Sequence, residues 1–244
     1  MATILSQIPS ISGVDLFGNN TAAQMPLGTY VETTDGRGFR YSQVGAVSTV
    51  PGQLYQSSAN DATNFTPVGG VAVAAAAAIG DTQITISGVT ITAAQAANLA
   101  LGGFVSVAIT PGQGYMYKIA AVNTTSLVIT LQDPLKVALT TSSKVLLSVQ
   151  PNVGVVVFPT TRTGVNVGIP QTIITNGNYG WLQTFGQSAV LSGVATSVTI
   201  GVPVTNSGAT AGATIVATAV LPTVGLAMQT FTATEYNNVF LTLK

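Results

Sequence analysis

The chain has 244 residues, with seven Lys and Arg, seven Asp and Glu, and neither histidine nor cysteine. A charged fraction of 6%, against roughly 25% in ordinary globular proteins, and a formal net charge of zero exclude a phosphate-tracking surface, which needs clustered Lys and Arg. The missing His and Cys exclude a zinc-type centre, a Ser-His-Asp triad, a cysteine nucleophile and any disulfide framework.

Hydrophobic residues make up 47% of the chain, mostly Ala and Val, diluted by Thr and Ser. Such a surface carries little charge repulsion to keep copies apart, which suits a protein that sits in an assembly. The alternative is a soluble monomer with a Thr/Ser surface.

The opening Met-Ala-Thr-Ile-Leu-Ser-Gln has no basic region and no long apolar core, so no secretory signal is expected. Residues 1–26 read as an extended arm. They hold Pro9, Gly13, Gly18 and Pro26 and no steady period. Their apolar side chains Ile4, Leu5, Ile8, Ile11, Val14, Leu16 and Phe17 are costly to leave in water. Ile4, Leu5, Ile8, Ile11, Leu16 and Phe17 are therefore the candidate contacts to a neighbouring subunit. The plainer alternative is a frayed terminus.

Gly28–Thr34 and Arg37–Val44 alternate around Asp35-Gly36, which predicts a hairpin with both turn residues at positive φ. Val50-Pro51-Gly52-Gln53 predicts a tight turn. Residues 57–70 are polar and turn-rich. The run Val71–Ile79 is the longest purely apolar one, nine residues. It falls far short of the ~18 a membrane helix needs, and no transmembrane segment is expected. Its valines favour strand and its alanines helix; it reads as a strand. Further strands are expected at 82–86, 104–109, 115–122, 127–131 and 144–149. One short helix is expected after Thr92, which can cap it, ending at Leu-Gly-Gly 101–103.

After Pro151-Asn152 strands are expected at 153–158 and 171–175, then at about 188–192, 196–200, 213–220 and 238–243. The fold class is all-β, a barrel or sandwich-like core with one short helix and an inserted β-rich subdomain. The expected domains are an arm (1–26), a main β domain (27–70 and 150–244) and an insertion (71–149).

No motif carries chemistry. The seven carboxylates Asp15, Glu32, Asp35, Asp61, Asp81, Asp133 and Glu235 are too dispersed for a calcium loop. No Gly-Lys-Ser/Thr phosphate loop occurs, and no motif frames a reactive serine. No enzyme activity, metal, cofactor or nucleic-acid partner is expected. Tyr179, Trp181 and Phe185 stand at i, i+2 and i+6, on one face if the segment is a strand. They fit an inward-packing core strand, a subunit interface, or a platform for carbohydrate stacking. Tyr115 and Tyr117 also share a face. The triplets at Asn19, Asn64 and Asn123 match a glycosylation pattern that arises by chance in so Asn- and Thr-rich a chain.

Gly186-Gln-Ser-Ala-Val-Leu191, Thr223-Val-Gly225-Leu-Ala227 and the final Asn238-Val-Phe-Leu-Thr-Leu243 resemble the C-terminal strands of the small β-barrel-like decoration, or cement, proteins of tailed-phage heads. The opening hairpin followed by Val50-Pro51-Gly52 resembles the early part of such proteins. Tyr179–Gly186 is similar to a segment of phage virion proteins. The resemblance covers roughly 27–56 and 150–244, and 70–149 departs from it. It implies a non-enzymatic virion structural protein on the capsid exterior, made in the host cytoplasm. Its partners would be the major capsid protein and further copies of itself, in a homotrimer. No catalytic residue is carried over. The competing class is a tail or fibre component that reads a host receptor or glycan; a shell-forming protein and a surface-layer protein fit less well.

Overall fold

In the computed structural model of the chain, the described residues are 14–193, 198–217, 222–231 and 234–243. Among the described residues strands hold 40% and helix 5%. The strands in chain order are β1 (Tyr30–Glu32), β2 (Gly38–Gln43), β3 (Tyr55–Gln56), β4 (Val71–Val73), β5 (Gln83–Ser87), β6 (Gly103–Ile109), β7 (Met116–Asn123), β8 (Val128–Leu131) and β9 (Lys144–Val149). They continue with β10 (Val156–Val157), β11 (Asn166–Pro170), β12 (Tyr179–Leu191), β13 (Pro203–Asn206), β14 (Thr214–Val216), β15 (Gly225–Ala227) and β16 (Tyr236–Thr242). Helix α1 (Ala93–Gly102) lies between β5 and β6. The chain divides into two compact units, a barrel unit (59–153) and a sheet unit formed by the segments before and after it. The first boundary thus falls inside the turn-rich stretch 57–70, between Ser58 and Ala59.

In the barrel unit, β4-β5-β8-β7-β6-β9 close into an antiparallel barrel, β9 pairing back to β4. Alternation explains it: Ile84 and Ile86, Val105 and Val107, Tyr117 and Ile119, Ile129 and Leu131, and Val145 and Leu147 all point into one buried cluster. The interior is filled by these side chains. Of the alanine-rich run only Val71–Val73 is strand, and Ala77 adds a bridge to Leu139. Helix α1 forms as predicted. Thr92 Oγ1 accepts from Gln95 N–H, and the Gln95 side chain accepts from Thr92 N–H, a complete capping box. Its Ala96 and Leu99 join the barrel core. Gly103 ends the helix in extended backbone (φ −85°), so its use is steric. A Cβ there would lie 2.5 Å from Leu99 O, where the chain passes straight into β6.

The loop before the barrel is tied to this cap. The Asp61 carboxylate accepts from the side-chain amide of Asn64 (2.9 Å), the N–H groups of Asn64 and Thr63 (3.0 and 2.9 Å) and Gln95 Nε2 (2.8 Å). These bonds, the Asn64 side chain first, hold its pKa down at about 2, below the ordinary carboxylate range. A depressed folded-state pKa gives stability that is present above the unfolded value and lost as pH falls through the folded one. The barrel unit is therefore expected to lose melting temperature between about pH 4 and pH 2, and Asp61→Asn to flatten that slope. Melting curves of the two proteins across this range check it. Parallel slopes would contradict it.

The sheet unit is a curled sheet in the order β10-β3-β11-β12-β16-β15-β13-β14, with β2 also pairing β12 and β1 pairing β2. The β1–β2 hairpin forms at Asp35-Gly36, but only Gly36 has positive φ (+82°). Gly36 N–H donates to Thr33 O (2.9 Å), and Thr33 N–H to Arg37 O (2.8 Å). The turn is a type I turn closed by a left-handed glycine. Asp35 acts in it as an acceptor for the Thr33 hydroxyl and for Arg37.

Two strand expectations fail here. The strand expected at 171–175 lies at Asn166–Pro170, and only Val156–Val157 of 153–158 is strand. Residues around Ile174 are fixed by Thr49 instead: Thr49 N–H donates to Ile174 O (2.9 Å) and Ile174 N–H to Thr49 Oγ1 (2.7 Å). The strands expected at 196–200 and 213–220 fall partly outside the described residues. Of them, Thr214–Val216 is strand and Val198 bridges Phe231.

Candidate functional site

β12 is the longest strand among the described residues, and it organises the site. At its start it pairs β2, with Trp181 opposite Tyr41. Farther on it pairs β16, with Gln187 opposite Phe240. Its even positions Leu182 and Val190 enter two buried clusters. Its odd positions serve two different surfaces.

The first surface is aromatic and covered. Trp181 packs against Tyr41 (ring centroids 5.0 Å), and Tyr41 stacks on Tyr179 (6.3 Å). Phe39 and Val31 complete the buried cluster. Val14, Leu16, Met25 and Leu27 pack on it from outside. Asn20 and Tyr179 exchange both backbone bonds, at 2.9 and 2.8 Å, and Gln24 N–H donates to the Tyr41 hydroxyl (3.1 Å). The Asn19 side chain donates to Thr175 Oγ1 (2.9 Å) and accepts from Thr175 N–H (3.0 Å) and Asn178 Nδ2 (2.9 Å). Residues 14–27 are thus a strap across their own sheet.

This corrects the reading of 1–26 as one arm. Leu16 is held by its own unit, because Trp181, Tyr41 and Phe39 present more apolar surface than the sheet alone can hide. Phe17, one residue on, is 59% exposed. Ile4, Leu5, Ile8 and Ile11 lie outside the described residues.

The predicted aromatic trio is not brought together. Tyr179 and Trp181 share the strap cluster, and Trp181 is only 2% exposed, so it offers no contact to a partner. Phe185 lies farther along β12, past an irregularity in the β2 pairing between Gln183 and Phe185. It meets Phe240 edge-on, centroids 5.2 Å apart at 78°. Tyr115 and Tyr117 do share a face and stack at 6.3 Å, with Tyr117 buried and Tyr115 half-exposed.

Phe185 and Phe240 belong to the second surface, an open groove of about 680 Å³. Met228, Gln187, Asn238 and Gln171 line it, with Asp35 and Arg37 at one end. Arg37 Nε donates to Asp35 Oδ2 at 2.8 Å. The Thr33 hydroxyl, and then Arg37, hold the Asp35 carboxyl below the usual carboxylate range, so the pair stays ionised and jointly neutral. Gln183 positions this stretch. It is fully buried, and its Nε2 donates to the carbonyls of Phe185 and Gln187, both at 2.9 Å. Sequence reasoning missed Phe240, Met228 and Gln183. The strand alternation of Asn238–Leu243 placed Phe240 on the face opposite Val239 and Leu241, which was the one signal present.

No protein-family model, curated protein or solved structure matches the chain.

The chemistry of both surfaces thus rests on their own residues. Among the described residues no three His, Cys, Asp or Glu stand close enough to hold a metal ion. No described helix is long and apolar enough to cross a membrane.

Proposed function

We propose that this chain is a non-enzymatic virion structural protein that decorates the exterior of a tailed-phage capsid and clamps neighbouring capsomers. The observation that carries the reading is the strap. Residues 14–27 are fixed to the sheet unit by apolar packing and by backbone and side-chain hydrogen bonds. They give the apolar segment that holds Ile4, Leu5, Ile8 and Ile11 a firm root. A short apolar segment on a firm root loses less entropy on docking than one on a loose tether. The low charge adds support, since a wide, weakly polar contact needs little desolvation of ions. The partner is the major capsid protein, and the chain acts as a homotrimer on the capsid surface. Trimer contacts would also cover β10 and β14, the strands at the two ends of the sheet order.

The test is co-sedimentation with undecorated heads of the encoding virus. The full chain is expected to pellet with heads. A chain lacking residues 1–13 is expected to stay in the supernatant with an unchanged melting curve. Equal decoration by the shortened chain would overturn the clamp.

A further inference from the structure

We propose that the groove over β12 and β16 is a binding site for a neutral carbohydrate, one or two pyranose rings long. The proposal stands apart from the capsid reading and holds wherever the chain sits on a particle. The floor is the Phe185–Phe240 pair, and Phe240 is 36% exposed. The negative face of an aromatic ring attracts the weakly positive C–H face of a sugar. The rim carries the planar amides of Gln187, Asn238 and Gln171 and the Asp35–Arg37 pair. Amide, carboxylate and guanidinium groups present donors or acceptors side by side, the spacing of vicinal hydroxyls. A volume of about 680 Å³ falls within the range of small-ligand sites.

The groove is also preorganised, which lowers the cost of binding. Gln171 Nε2 donates to Ser188 Oγ (2.9 Å) and Asn238 Nδ2 to Gln229 Oε1 (3.2 Å), orienting both amides. Gln183 holds the backbone that presents Phe185 and Gln187.

Other ligand classes fit less well. Among the described residues that line the groove the one cation, Arg37, is spent on Asp35, so a phosphate or polyanion finds no net positive charge there. An extended peptide adding as a strand needs an open edge. β16 is paired by β12 and β15, and on β12 beyond Phe185, where the β2 pairing ends, the carbonyls of Phe185 and Gln187 are already taken by Gln183 Nε2. A wholly apolar ligand would bury the rim amides without partners.

The experiment is an NMR titration of the full chain with glucose, galactose, mannose, N-acetylglucosamine and their disaccharides, to about 50 mM, since a shallow sugar site binds in the millimolar range. The expected result is a saturable shift of the Gln187, Gln171 and Asn238 side-chain amides and of the Phe185 and Phe240 rings with at least one sugar. Phe240→Ala and Gln187→Ala, both at exposed positions, are expected each to weaken that affinity about tenfold while the melting curve stays put. Three results would overturn the proposal: no saturable shift with any sugar, binding that survives both substitutions, or shifts of these residues that follow protein concentration alone. The last would make this face a contact between copies of the chain.

Discussion

Replacing Trp181 by alanine is expected to destabilise the sheet unit by about 3–5 kcal/mol, the usual cost of deleting a large buried aromatic. Trp181 is 2% exposed and contacts Tyr41 at a centroid distance of 5.0 Å. It supports the strap residues Val14, Leu16, Met25 and Leu27 as well as the sheet. The loss is therefore felt twice, as a cavity and as a loosened strap. Trp181→Phe retains much of the burial and is expected to cost about half as much. Denaturant unfolding of both variants checks this. Trp181 is also the only tryptophan, so its fluorescence reports the site directly. Wild-type emission is expected to be blue-shifted and shielded from acrylamide. A Trp181→Ala cost under about 1 kcal/mol, or a readily quenched tryptophan, would show that the strap does not cover this cluster.

Removing residues 1–27 is expected to be far more damaging than removing 1–13. The longer deletion takes away the Asn20–Tyr179 bridge, the bond to the Tyr41 hydroxyl and four apolar side chains over the aromatic cluster. Fully burying each such side chain contributes about 1.5–3 kcal/mol, so even their partial burial adds up to a large share of a domain's stability. The expected outcome is a sheet unit that binds hydrophobic dye and melts well below the wild type, beside a 1–13 deletion that melts as the full chain does. Equal melting of the two deletions would contradict the strap, and would return residues 14–26 to the role of a free arm.

Fold class was legible because it rests on local signals. Alternating Ile, Val and Leu in 83–87, 103–109 and 144–149 can bury only one face, and the intervening Gly, Asn and Pro residues must turn. The helix was legible for the same reason: Thr92 and Gln95 make the cap within four residues. Where strands were misplaced, a distant partner decided. Gln-Thr-Ile-Ile-Thr at 171–175 has strand-forming residues, yet Thr49 takes its backbone bonds. The neighbouring Asn166–Pro170 pairs because Gly168 lets β12 come close; a Cβ there would lie 2.8 Å from Gln183 O.

The site was less legible than the fold. Tyr179, Trp181 and Phe185 carry the right residue types, but what covers each is set by segments far away in sequence. Leu16 and Met25 cover Trp181, and Phe240 meets Phe185. Alternation fixes which face a side chain takes and leaves open what lies over that face.

The most direct test of the decoration reading is cryo-electron microscopy of intact virions of the encoding virus, with density for this chain located by its six-stranded barrel and curled sheet. The account predicts density in symmetric clusters on the outside of the head, with residues 1–13 reaching a capsomer. Density confined to the tail or its fibres would contradict it.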